Sequence, residues 1–146
     1  MSSRGPNEGP YLGGLLRVCW QWIREQIFEG VRAAGYDDLK PSHVGLFRYP
    51  TLDRQRPSGL ADQLQITRQS VNELLGDLEE LGYVTRESDP ANKRARLVRL
   101  TASGRRLEKT INSQARIAEL KIAELLGSRT FSQLRDALEQ LAGQLP

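Results

Sequence analysis

Arg68, Gln69, Ser70 and Asn72 stand close together in one polar run, and side chains of these types can read the edge of a base. A carboxamide carries a donor and an acceptor side by side, so Gln69 or Asn72 can pair with adenine at two points, while Ser70 can reach a base edge or a phosphate. Arg68, at the start of the run, can clamp phosphate or guanine. A second set of groups follows in Asp89-Pro90-Ala91-Asn92-Lys93-Arg94-Ala95-Arg96. Lys93 and Arg96 suit phosphate contacts, because each phosphate neutralised releases counterions. Arg94 suits insertion into a narrow, A·T-rich minor groove, whose negative potential attracts arginine. For each of these residues the alternative is an ordinary solvated side chain. Glu73 and Glu80 share the outer face with Gln69 and make it less cationic than an unselective binder needs. Selectivity and plain solubility both account for them.

Such groups work only if a frame holds them on one side. Leu60-Ala61-Asp62-Gln63-Leu64 reads as a short helix opened by Pro57, with Arg56 or Ser58 at its N-cap. Thr67 caps a second helix that turns Val71, Leu74, Leu75, Leu78 and Leu81 inward. Gln69, Glu73, Gly76 and Glu80 then point outward, with Ser70 and Asn72 on the flanks. Two helices across a tight turn, the second beginning in polar side chains, fit a DNA major groove. A hairpin follows, with its polar tip at Asp89–Arg96 and with Val98 and Leu100 on one strand face. Positive charge gathers there, in Arg86, Lys93, Arg94, Arg96 and Arg99, with Arg54 and Arg56 just upstream.

Long helices flank this unit. Leu12, Leu15, Cys19, Trp22 or Ile23, Ile27 and Val31 recur at helical steps between Pro10 and Ala34, and Gly35 closes the helix. Leu16, Trp20 and Phe28 widen the stripe. Pro41 opens a short helix carrying Val44, Leu46 and Phe47, which Pro50 stops. Thr101 caps a helix to about Leu126 with Leu107, Ile111, Ala118, Ile122 and Leu125 on its stripe. Gly127 and Ser128 break that helix, and the capping-box form of Thr130-Phe131-Ser132-Gln133 starts a last one bearing Leu134, Leu138, Leu141 and Leu145. The stripes of three long helices exceed what the small lobe can cover, so a second copy of the chain is expected against them.

The expected fold class is therefore mainly α with a small β-hairpin wing: a winged helix-turn-helix lobe plus a helical dimerisation lobe. Residues 1–9 are expected to be a disordered tail, 10–36 and 102–146 the helical dimerisation region, and 37–101 the winged helix-turn-helix region. An apolar content of 38% over 146 residues is enough for a modest core. A net charge of +3 permits nucleic-acid binding without demanding it. The single cysteine excludes an intrachain disulfide. No apolar stretch nears the roughly 20 residues of a membrane span, and the start has no apolar signal core, so a cytoplasmic protein with no membrane partner is expected. Nothing here forms a catalytic constellation, a phosphate loop or a metal-ligand cluster, so neither enzyme activity, nor a metal, nor a cofactor is expected.

Some side chains could serve a small ligand. His43, the only histidine, could bond an acidic effector between the two lobes, or be a partly exposed helix residue. Trp20, Trp22, Phe47 and Tyr49 could line a pocket for an aromatic ligand, although aromatics at helical spacing more often belong to a core.

Over about Tyr11–Leu145 the chain resembles the MarR family of bacterial transcriptional regulators. The resemblance is carried by Leu60-Ala61…Leu64…Thr67-Arg68-Gln69-Ser70-Val71, by Leu78-Glu79…Leu81-Gly82-Tyr83-Val84, and by Asp89-Pro90-Ala91-Asn92-Lys93-Arg94-Ala95…Leu97-Val98-Arg99-Leu100-Thr101…Gly104. It implies a triangular homodimer, a palindromic operator in double-stranded DNA, and repression relieved by a small aromatic acid, a phenolic effector or an oxidant. Two positions depart from the family pattern. Asn92 replaces an aspartate expected to hold the neighbouring arginine. Gln65 replaces a turn glycine, at a cost on the order of 1 kcal/mol if the turn needs a positive φ. Family members that sense peroxides carry a first-helix cysteine near a tyrosine. Here Lys40 takes the tyrosine's place and Cys19 lies about one turn away, so a buried structural thiol is the favoured reading. The competing functions are a winged-helix protein-interaction module that does not bind DNA and a thiol-based sensor using Cys19.

Overall fold

A computed structural model describes residues 9–47 and 51–146. Tyr49 and Pro50, and the expected tail up to Glu8, lie outside the described residues. The element order is α1 (Leu12–Ala33), α2 (Pro41–Val44), α3 (Pro57–Leu64), α4 (Arg68–Glu80), β1 (Val84–Asp89), β2 (Asn92–Leu100), α5 (Ala102–Leu126) and α6 (Ser128–Gln144). This is the mainly helical architecture with one antiparallel hairpin that the sequence implies. Among the described residues no helix is long and apolar enough to cross a membrane.

One continuous core joins the two parts. Leu60, Val71, Leu75 and Leu78 from the two helices of the motif meet Val84 and Val98 of the hairpin, Leu46 and Leu52 of the loops, Val31 of α1 and Leu107 of α5, all almost fully buried. Burial of an aliphatic side chain contributes about 1.5–3 kcal/mol, so this cluster fixes α3, α4 and the wing relative to α5. Gly104 makes the junction close: a Cβ there would lie 1.9 Å from the Tyr83 carbonyl oxygen. The Thr101 hydroxyl accepts from the Gly104 amide at 3.0 Å, and the Thr101 amide donates to the same Tyr83 carbonyl at 3.1 Å. Tyr83 donates its hydroxyl to Asp38 at 3.2 Å. Burial first, and then the Asp38 charge, push its pKa up to about 12.

The caps at Thr67, Thr101 and Gly35 form as expected. The Thr67 hydroxyl accepts from the Ser70 amide at 3.0 Å, and Gly35 follows α1 at φ 106°. Arg56, not Ser58, occupies the N-cap of α3, which opens on Pro57. Gln65 sits at φ 56°, ψ 40°, the left-handed conformation that makes the turn between α3 and α4.

Several expectations need correction. Helix α6 begins at Ser128 rather than Thr130, because the bend at Gly127 (φ 81°) redirects the chain at once and leaves its first turn without a side-chain cap. Helix α2 stops at Val44; Leu46 is still buried, but in the turn that follows. Leu81 caps α4 instead of packing beneath it and is partly exposed. The polar tip is also shorter than Asp89–Arg96. The strands pair as far as Asp89 opposite Asn92, and the next pair inward is Ser88 opposite Arg96. Lys93, Arg94 and Ala95 are therefore the surplus of a bulge, the device by which a strand re-aims its side chains.

Helices α1 and α5 pack side by side. The Lys121 ammonium donates to Gln26 Oε1 at 2.9 Å, and the Gln114 side chain lies over Gly30. This antiparallel register sends the first half of α1 past the end of α5. Tyr11, Leu12, Leu15, Leu16, Val18 and Trp20 are exposed there, as are Leu120 and Leu125 of α5 and Leu134, Leu138, Leu141 and Leu145 of α6. Leu125, on the α5 stripe that the small lobe is not expected to cover, is 80% exposed in the single chain. Cys19 is exposed too, which overturns the buried-thiol reading for the chain alone.

Candidate nucleic-acid interface

Helix α4 holds its outer face away from the core by simple periodicity: Val71, Leu75 and Leu78 go in, so Arg68, Gln69, Asn72 and Glu73 face out and are exposed. The Thr67 cap satisfies an amide of its first turn, and the Thr67 hydroxyl donates to Ser70 Oγ at 2.9 Å. Gln69 Nε2 donates to Glu73 Oε1 at 3.3 Å. Glu73 thus steadies the neighbouring amide on the exposed face.

The wing stands beside that face and is tied to the rest of the lobe at three levels. At its base, the Leu100 amide donates to Asp53 Oδ1 at 2.9 Å, and Arg99 lies 3.5 Å from the same carboxylate. Next to it the loop before α3 runs along β2: the Arg54 amide donates to the Val98 carbonyl at 2.7 Å, and the Val98 amide to the Gln55 carbonyl at 2.9 Å. The same loop is fastened to α5, with the Thr51 hydroxyl and the Leu52 amide donating to the Glu108 carboxylate at 2.8 and 3.0 Å. At the tip, Arg56 pairs with Asp89, whose other oxygen accepts from the Ala91 amide at 2.9 Å.

These contacts divide the cations that the sequence shows as one group. Arg56, Arg86 and Arg99 are spent on Asp89, Glu79 and Asp53. Among the described residues, Lys93, Arg94 and Arg96 are exposed and have no carboxylate partner, and the same holds for Arg68 and Arg54. Asn92 does hold its neighbour, but by the backbone: its Oδ1 accepts from the Arg94 amide at 3.2 Å, leaving the guanidinium unengaged.

Sequence reasoning missed the role of Arg86, counting it only among the wing's charges. From β1 its Nε donates to Glu79 Oε1 at 2.6 Å and its Nη1 to Asn72 Oδ1 at 3.0 Å. The available signal was spacing: Asn72 and Glu79 are two helical turns apart, on one side of α4.

A cavity of about 660 Å³ lies between α1, α2, α5 and the helices of the motif, with Trp20, Arg24, Phe28, Val44, Phe47 and Leu74 among its lining residues. Trp20 and Phe47 of the expected pocket are therefore brought together. His43 is not on that lining. It is buried, not partly exposed, and both ring nitrogens are used inside the protein: Nδ1 accepts from the Lys40 amide at 2.9 Å, which places the proton on Nε2, 2.9 Å from Asp77 Oδ2. Trp22 is half-buried on α1 and is likewise not among the cavity's lining residues.

Comparisons with known proteins agree with this geometry. The MarR family model matches residues 50–95. The transcriptional activatory protein BadR of Rhodopseudomonas palustris is 28% identical over 127 residues, which is 86% of this chain and 71% of BadR. Wild-type MarR from E. coli in its apo form has a TM-score of 0.73 at 20% identity, covering 96% of this chain and 100% of that one. CouR from Rhodococcus jostii RHA1, bound to p-coumaroyl-CoA, has a TM-score of 0.70 at 23% identity, covering 92% and 94%. The repressor CouR bound to a 23-mer DNA duplex has a TM-score of 0.68 at 23% identity, covering 90% and 92%.

An exposed polar helix beside a cationic wing, on this fold, defines a winged helix-turn-helix DNA-binding protein. The chain is similar to the MarR family of transcriptional regulators over this unit.

Proposed function

We propose that the protein is a homodimeric, sequence-specific repressor that binds a palindromic operator and is released by a small aromatic or phenolic effector. The observation that carries the reading is the junction at Arg86. It sets the wing beside the outer face of α4, so that Arg68, Gln69, Ser70 and Asn72 meet the major groove while Lys93, Arg94 and Arg96 meet the adjoining backbone and minor groove. CouR, described as a repressor bound to duplex DNA, supports repression; BadR, described as an activator, makes the sign of regulation a separate measurement.

The second copy docks on the exposed apolar residues of α1, α5 and α6, because a lone chain rarely leaves so much apolar surface open to water. The effector occupies the cavity beside Trp20 and Phe47, with the Arg24 guanidinium available to a carboxylate. It acts only to the extent that it binds two spacings of the paired motifs with different affinity.

Selection of bound duplexes from a random pool at about physiological salt, where unspecific affinity falls steeply, tests the reading. The expected product is an inverted repeat with half-sites about 34–36 Å apart or a multiple of that spacing. Recovery of no shared sequence contradicts it. Titration of the complex with aromatic carboxylates then reads the release.

A further inference from the structure

Arg86 does more than brace the wing. Its Nε and Nη2 both rest on Glu79 Oε1, at 2.6 and 2.5 Å, and its Nη1 reaches Asn72 Oδ1 at 3.0 Å. Asn72 and Glu79 are two turns apart on α4, about 10 Å along the axis, and the Arg86 guanidinium joins the ends of their side chains. Arg86 itself is mostly shielded, whereas Asn72 is exposed. A guanidinium has donors only, so it selects the oxygen of the amide and turns the Asn72 NH2 group the other way. Glu79 neutralises the guanidinium and keeps it from swinging out to a phosphate.

We propose that Arg86, clamped by Glu79, turns the Asn72 NH2 group toward the duplex, so that Asn72 favours guanine, with its two adjacent acceptors, over two-point recognition of adenine. This rests on the reading of α4 as the helix that enters the major groove. Two-point recognition of adenine needs the amide oxygen to accept from N6–H₂ while the nitrogen donates to N7. With the oxygen drawn toward Arg86, the NH2 group can donate to adenine N7 but the second contact, from N6–H₂ to the oxygen, is forfeited. Guanine presents N7 and O6, two adjacent acceptors for that group. Arg86 is thus a positioning residue: it sets specificity without touching the base.

The test uses the full-length protein on its selected operator and every single-base variant. Asn72→Ala first locates the base pair that Asn72 reads, as the one whose discrimination collapses. At that pair the wild type is expected to prefer guanine over adenine by about tenfold, within the range of one good base contact. Arg86→Met, which keeps the length of the side chain and removes its donors, frees the amide and is expected to move the preference to adenine at that pair alone. Glu79→Gln, which loosens the clamp while keeping its shape, is expected to move it partway, and thermal unfolding of each variant confirms that the wing is intact. An adenine preference in the wild type overturns the proposal, as does a preference unchanged in both variants or an Asn72→Ala profile equal to wild type. Equal binding to all duplexes would overturn the underlying reading of α4, a result distinct from any of these.

Discussion

Asp89 at the end of β1 accepts from the Ala91 amide with one carboxylate oxygen and pairs with Arg56 through the other. Arg56 is the N-cap residue of α3, so a single carboxylate closes the hairpin turn and ties it to the start of the helix-turn-helix. The tip that carries Lys93 and Arg94 is therefore held from behind, by a group that need not touch DNA.

Asp89→Asn is expected to loosen the tip. The Ala91 amide hydrogen bond, followed by Arg56, holds the Asp89 carboxyl below its ordinary value. A depressed carboxylate stabilises the native state at pH values above the unfolded pKa, and the contribution is lost as pH falls through the folded one. Acidification from about pH 4 downward should thus release the tip in the wild type and have less effect in Asp89→Asn. Hydrogen exchange checks this: protection of the Ala91 amide should fall roughly tenfold or more in the variant near neutral pH. Unchanged protection would show that the turn closes without Asp89.

Gln65 sits in the left-handed region at φ 56°, where a Cβ is strained. Gln65→Gly should raise stability by about 0.5–1 kcal/mol, read as a shift of the denaturation midpoint at constant slope. A lower midpoint would mean that the hydrogen bond from Gln65 Nε2 to the Asp62 carbonyl, 2.9 Å long, outweighs the backbone strain.

Tyr83 gives an alkaline signature. Its pKa is raised from 10.0 to about 12, mainly by burial and then by Asp38. The native state therefore holds this proton more tightly than the unfolded chain. The associated stability is complete below pH 10 and is lost as pH rises toward about 12. Tyr83→Phe should flatten the fall in stability across that window, measured by denaturant unfolding at each pH, at the cost of the bond to Asp38. The same slope in both proteins would mean that other groups govern the alkaline limb.

Gln65 also shows what a sequence can reveal. Caps, turns and inward stripes are local: Thr67, Gly35, Thr101 and Gln65 each act on residues a few positions away, and all four were legible, as were the α4 stripe and the Val98–Leu100 strand face. Contacts between distant elements were not. Nothing near His43 announces Asp77, and nothing near Asn72 announces Arg86, because both pairings exist only once the loops have folded back. The bulge that displaces Lys93 and Arg94 depends on where β1 ends. The exposure of Cys19 depends on which faces of α1 its neighbours cover, which an apolar stripe does not display.

The central claim is that the outer face of α4 reads bases while the wing meets charge and groove width. A salt series on the selected operator and its single-base variants, with wild type, Arg94→Ala and Gln69→Ala, tests it most directly. Arg94→Ala should weaken binding to the selected operator and lower the slope of log affinity against log salt by about 1 for each phosphate that Arg94 neutralises. Gln69→Ala should keep the slope and relax preference at one base pair, costing about 1–3 kcal/mol on the preferred sequence. If Arg94→Ala binds as tightly as wild type at every salt concentration, the wing is a solvated hairpin and the account is wrong.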